Sequence, residues 1–209
     1  MPIGPGSFIG VTPGAGAKLA TGPTYTENGN VTQDEKVLLG EPYEATYVAS
    51  WNGVSVATLN DHLFELMAPN TLQVYIRHIY IAQQGYSTTQ GTVLNLARLT
   101  SGGSGGTVRT PAALDSGDAA AGSTVMTLPS TKGAEAASLH QWVMVFGATG
   151  TTALSNPDGN VLDIRFPNQG QKSFRVPSGT ANGMCLKLLV AGGAGNTVTG
   201  FVEWVERPF

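Results

Sequence analysis

From Tyr43 onward, apolar and β-branched residues gather in runs of about five to twelve, each closed by Gly, Pro, Asn or Ser, and runs of that kind read as strands. Eleven such runs stand out: 43–50, 54–60, 62–68, 72–83, 92–100, 123–128, 139–148, 161–167, 173–177, 184–190 and 199–207. Within Leu162-Asp163-Ile164-Arg165-Phe166 the apolar residues share one face and the charges the other, as a half-buried strand requires. The last run carries apolar groups on both faces, with Phe201 and Val205 opposed to Val202 and Trp204, which places it between core and interface. In 72–83 the inward set Leu72, Val74, Ile76 changes parity to Ile79 and Ile81 across Arg77-His78, and this predicts a one-residue β-bulge.

Two stretches, 111–121 and 133–138, have a helical flavour, but both are short and the first contains a glycine, so loops or single turns are expected. Ser101-Gly102-Gly103-Ser104-Gly105-Gly106 reads as a flexible linker between strands. Residues 1–42 are punctuated by Gly, Pro and Thr and follow neither strand nor helix periodicity. Too little apolar surface is available there to offset the cost of ordering the backbone. An extended N-terminal arm is therefore expected, ordered only against a neighbour. The organisation expected is an arm over 1–42 and a β-sandwich body over 43–209.

Composition narrows the class. A chain of 209 residues holds one substantial core, and 28 glycines with 12 prolines suit many short strands rather than a helical bundle. The fold class expected is all-β, an antiparallel sandwich. Charged residues are only 12%, about half the usual share, so the surface must be mostly neutral and polar. The net charge is −3 with scattered Lys and Arg, which offers no footprint for gripping phosphates, and no nucleic-acid partner is expected. No long apolar run and no leader-like opening is present, so neither export nor membrane insertion is expected.

Candidate chemistry is sparse. Gly16-Ala17-Lys18-Leu19 breaks the order of a phosphate-binding loop, and Gly192-Gly193-Ala194-Gly195-Asn196 precedes a strand rather than a helix. His62 and Glu65 suggest a general base or a metal-ligand pair, but residues three apart on a strand point to opposite faces, so a polar strand edge is expected instead. His78 sits at the predicted bulge, and His140 opens the one-face series His140, Trp142, Met144, Phe146. Neither has a nucleophile motif beside it. Asn156-Pro157-Asp158-Gly159-Asn160 has the chemistry of a turn. Asn30-Val31-Thr32 fits the glycosylation pattern without an export signal to go with it. Cys185, the single cysteine, has no internal disulfide partner and sits in an apolar strand as a small hydrophobe. No catalytic, cofactor-binding or metal-ligating residue is assigned, and the chain is not expected to be an enzyme. Interface residues are expected at Phe8, Ile9, Trp51, Trp204 and Phe209.

The series Leu72-Gln73-Val74-Tyr75-Ile76-Arg77, Val93-Leu94-Asn95-Leu96-Ala97-Arg98-Leu99-Thr100, Thr110-Pro111-Ala112-Ala113-Leu114-Asp115, Phe166-Pro167 and Gly200-Phe201-Val202-Glu203-Trp204 resembles the small jelly-roll structural proteins of tailed-phage virions. The resemblance covers residues 43–209. It implies a jelly-roll decoration or cement protein on the capsid exterior, made in the host cytoplasm and often trimeric. Its partners would be the major capsid protein and further copies of itself, with no cofactor. A second possibility is a receptor- or carbohydrate-binding tail or fibre module, with Trp51, Tyr86 or Trp204 exposed beside polar groups. A third, a metal enzyme of cupin or lyase type, needs clustered histidines, and the three here are scattered.

Overall fold

The computed structural model describes residues 45–85, 87–147, 161–166 and 174–208, together with two short strands, β1 (Tyr25–Glu27) and β2 (Asn30–Thr32), which pair antiparallel. The chain divides into two units, Met1–Glu44 and Ala45–Phe209. Apart from β1 and β2, the expected arm lies outside the described residues, as do Phe8, Ile9, Tyr86 and Phe209.

The second unit is all β, with no helix among its described residues. Its strands are β3 (Thr46–Ser55), β4 (His62–Met67), β5 (Gln73–Gly85), β6 (Gln90–Leu99), β7 (Thr107–Arg109), β8 (Ala112–Ala113), β9 (Thr124–Thr127), β10 (Glu135–Phe146), β11 (Val161–Arg165), β12 (Phe174–Val176), β13 (Gly183–Val190) and β14 (Thr197–Arg207). Sheet I has the order β10-β6-β13-β4-β9-β7, and sheet II the order β11-β5-β14-β3-β8, with β12 also paired to β5. Every pairing is antiparallel. Strands β3 to β6 pair respectively with β14, β13, β11 and β10, so the first half of the body forms one long ribbon with the second half. That ribbon passes back and forth between the sheets, which is the jelly-roll arrangement.

Local chemistry accounts for the irregularities. The predicted bulge is present on β5: Glu203 opposes His78 and Trp204 opposes Ile76, leaving Arg77 as the extra residue. Val74 and Ile76 on one side of it and Ile79 and Ile81 on the other are all fully buried. Strand β3 runs straight through Asn52-Gly53, where the sequence pattern predicts a break. Gly53 adopts φ +68° and serves as the extra residue of a bulge rather than as a turn. The 133–138 stretch does not form a turn. From Glu135 onward it extends β10 along β6, because backbone pairing outweighs the weak local preference of Ala136-Ala137-Ser138.

The core lies between the sheets and corrects two interface expectations. Trp51, 3% exposed, packs at 5.0 Å against Phe64 of the opposite sheet, and Trp204 is wholly buried, 6.0 Å from Tyr47. Strand β14 lies between β5 and β3, so its Val202 and Trp204 face is core and neither tryptophan is presented to a partner. Its other face carries Phe201, stacked at 5.4 Å on Tyr80.

Candidate functional site

The strongest concentration of chemistry is where the sequence pattern argues against one. Strand β4 carries a bulge: Leu186 opposes Phe64 and Lys187 opposes His62, leaving Leu63 as the extra residue. The extra residue reverses parity, so His62 and Glu65 share the outward face of sheet I instead of diverging. His62 Nδ1 lies 2.7 Å from Glu65 Oε1, with the two side chains 0% and 2% exposed. The expected polar strand edge is therefore corrected to a buried pair.

The pair belongs to a longer series. His62 Nε2 faces Glu135 Oε1 at 3.2 Å, and Lys187 Nζ donates to both oxygens of the same carboxylate at 2.9 and 3.1 Å. The other end is closed by backbone: the amides of Gly103 and Gly133 donate to Glu65 at 2.6 and 2.9 Å. The Ser101–Gly106 stretch is accordingly not a solvated linker. It lies with residues 131–134 across the outside of sheet I, joined by the Ser104–Thr131 bridge and by the Thr100 amide donating to Ala134. Glycine is required at these approaches. A Cβ on Gly103 would stand 2.9 Å from both Glu65 oxygens, and one on Gly133 would run into the Ser101 carbonyl.

Burial alone would push the Glu65 pKa up, but His62 and the two glycine amides outweigh it and hold the group below the usual carboxylate range. Glu135 is likewise lowered, with burial opposed by Lys187 and His62. Cys185, paired across from Glu65, behaves oppositely: burial, then the carboxylates of Glu135 and Glu65, push its thiol up to about 12. Both imidazole nitrogens of His62 are taken by carboxylates, so neither is presented to a nucleophile. The geometry suits a clamp that fastens the glycine-rich strap to sheet I.

The other histidines lie elsewhere. The bulge at Arg77 aims His78 outward from sheet II, edge-on to Phe201 at 4.9 Å and hydrogen-bonded to Asp163 at 2.8 Å. Asp163 is lowered in pKa, first by its hydrogen bond from Arg165 and then by His78. His140 is exposed on β10, 5.1 Å from the Trp142 ring. Among the described residues no group of three His, Cys, Asp or Glu is placed to hold a metal ion. Glu135, Lys187, Gly103 and Gly133 carry no local signature that marks them as partners of His62 and Glu65, because strand pairing and a strap crossing the sheet bring them together.

Compared with known proteins, the chain matches no family model, no curated protein sequence and no solved structure.

Proposed function

We propose that the protein is a structural component of a virion, a decoration or cement protein that joins neighbouring capsid subunits and further copies of itself. The observation that carries this is strand β10. Among the described residues it lies at the end of sheet I, and between Glu135 and Phe146 it has no Asp, Glu, Lys, Arg or Pro. Leu139, Val143 and Val145 are exposed on it, Val143 by 69%. Proteins that stay monomeric blunt such an edge with charge, proline or a covering segment, whereas a long neutral edge favours pairing with another chain. The jelly-roll body and the charge-poor surface support the same reading, since few ions need desolvating when a neighbour is met.

On this reading the body covers a joint between capsid subunits, and residues 1–42 reach over the shell or an adjacent copy. The test is co-sedimentation with capsids, comparing the parent chain with Val143→Lys. The parent should bind and raise the temperature at which particles open, and the lysine, set in the middle of the neutral edge, should remove both effects while leaving the thermal transition of the free chain within about 3 °C. Limited proteolysis should cut residues 1–42 in the free chain and spare them on particles. A parent chain that stays monomeric and does not co-sediment would overturn the proposal.

A further inference from the structure

A groove of about 620 Å³ opens between the two sheets where β6 and β10 of sheet I face β11 and β12 of sheet II. Its walls are aromatic: Trp142 from β10, Phe166 just past β11 and Phe174 from β12, each half-buried, with the two phenylalanine rings 5.9 Å apart. Its polar residues are Arg98 and His140, with Asp163 and Arg165 at its margin. The Arg98 guanidinium lies 5.1 Å from the centre of the Phe174 ring and is held by a hydrogen bond to the Arg175 carbonyl. Asp163 and Arg165 border the groove only from the edge strand β11: their side chains stand on the outer face of sheet II, where Asp163 accepts from Arg165 Nε at 3.1 Å and lies 2.8 Å from His78.

We infer that this groove is a saccharide-binding site, taking a short oligosaccharide with one ring laid against Trp142. Size is suitable, since small-ligand sites run from roughly 300 to 1,000 Å³ with apolar walls and a few fixed polar groups. The lining matches both surfaces of a sugar. The C–H face of a pyranose packs on aromatic rings, while adjacent hydroxyls form paired hydrogen bonds with a planar guanidinium or a carboxylate. Arg98 retains donor capacity after its bond to the Arg175 carbonyl, because a guanidinium carries five N–H donors. An apolar peptide side chain fits less well. It would desolvate the Arg98 guanidinium and supply nothing in return. The inference moves the expected sugar-facing aromatic from Trp51 and Trp204, both in the core, to Trp142.

The three tryptophans make the test selective, because Trp51 and Trp204 are 3% and 0% exposed and only Trp142 is accessible. Acrylamide quenching of the full chain should report chiefly Trp142, and a bound sugar should suppress it. A glycan array probed with the full chain should yield ligands, neutral or acidic, and calorimetric titration with the best of them should weaken by roughly tenfold or more in Trp142→Ala and in Arg98→Ala. Trp142→Phe should recover part of the affinity, which separates stacking from misfolding, and the thermal transition of each variant checks the fold directly. An array with no signal, titration unaffected by Trp142→Ala, or quenching of the free chain no greater than for buried indoles would each overturn the inference. So would Trp142→Ala dissociating an oligomer without any sugar signal, since a second copy would then be the occupant.

Discussion

Replacing Glu65 with alanine probes the clamp on sheet I most directly. The carboxylate is 2% exposed, accepts from the amides of Gly103 and Gly133, and lies 2.7 Å from His62. Truncation leaves two amides without their acceptor and a buried imidazole beside a void. Stripping the partners of a buried carboxylate, at about 1–3 kcal/mol for each buried group left unpaired, costs about 3–5 kcal/mol in all. At roughly 2–4 °C per kcal/mol for a domain of this size, Tm should fall by about 6–20 °C. Glu65→Gln keeps the shape but presents an NH₂ where an oxygen accepted, so it should cost about 1–3 kcal/mol. The assay is urea unfolding followed by tryptophan fluorescence, at neutral pH and again in acid. Because the folded-state pKa of Glu65 lies below the ordinary 4.5, the ionised group's contribution is complete above that pH and is lost as pH falls through the folded value. The gap between parent and Glu65→Ala should therefore narrow on acidification. A Glu65→Ala chain within about 0.5 kcal/mol of the parent at pH 7, or a gap that widens in acid, would refute the clamp.

Two further outcomes follow from the packing. Gly200→Ala should destabilise by about 1–3 kcal/mol in the same unfolding assay, because a Cβ there would overlap the Tyr80 carbonyl and stand 2.9 Å from the Trp51 ring. An unchanged midpoint would mean that β14 does not press on Trp51 as described. Cys185, wholly buried with its thiol pushed up to about 12, should resist Ellman's reagent in the folded chain at pH 8 and react fully in denaturant. Labelling of the folded chain at the rate of a free thiol would contradict that burial.

Strand content and several face assignments are legible in the sequence because they are local. The alternation of Leu162, Asp163, Ile164 and Arg165 corresponds to Ile164 in the core with Asp163 and Arg165 exposed, and the parity change at Arg77 corresponds to the β5 bulge. Isoleucines flanking that site make the slip visible, since each must stay on the apolar side. The equivalent slip at Leu63 is invisible, because His62-Leu63-Phe64-Glu65-Leu66 is compatible with either parity until a partner strand sets the register. Gly53 misled in the opposite sense: a positive φ serves a bulge as well as a turn, and only the continued pairing of β3 with β14 distinguishes them.

The amino-acid order by itself determined that this chain makes strands, that its body is all β, and that charge is scarce on it, since propensity, alternation and composition act over a few neighbouring residues. Tertiary structure alone decided that Trp51 and Trp204 are core, that the glycine-rich strap is pinned rather than solvated, and that Trp142, Arg98 and Phe174 line one groove. Each of those outcomes depends on which strand lies opposite which. In a jelly roll the pairing joins residues from opposite ends of the body, so the energy that selects it resides in contacts no short stretch of sequence contains.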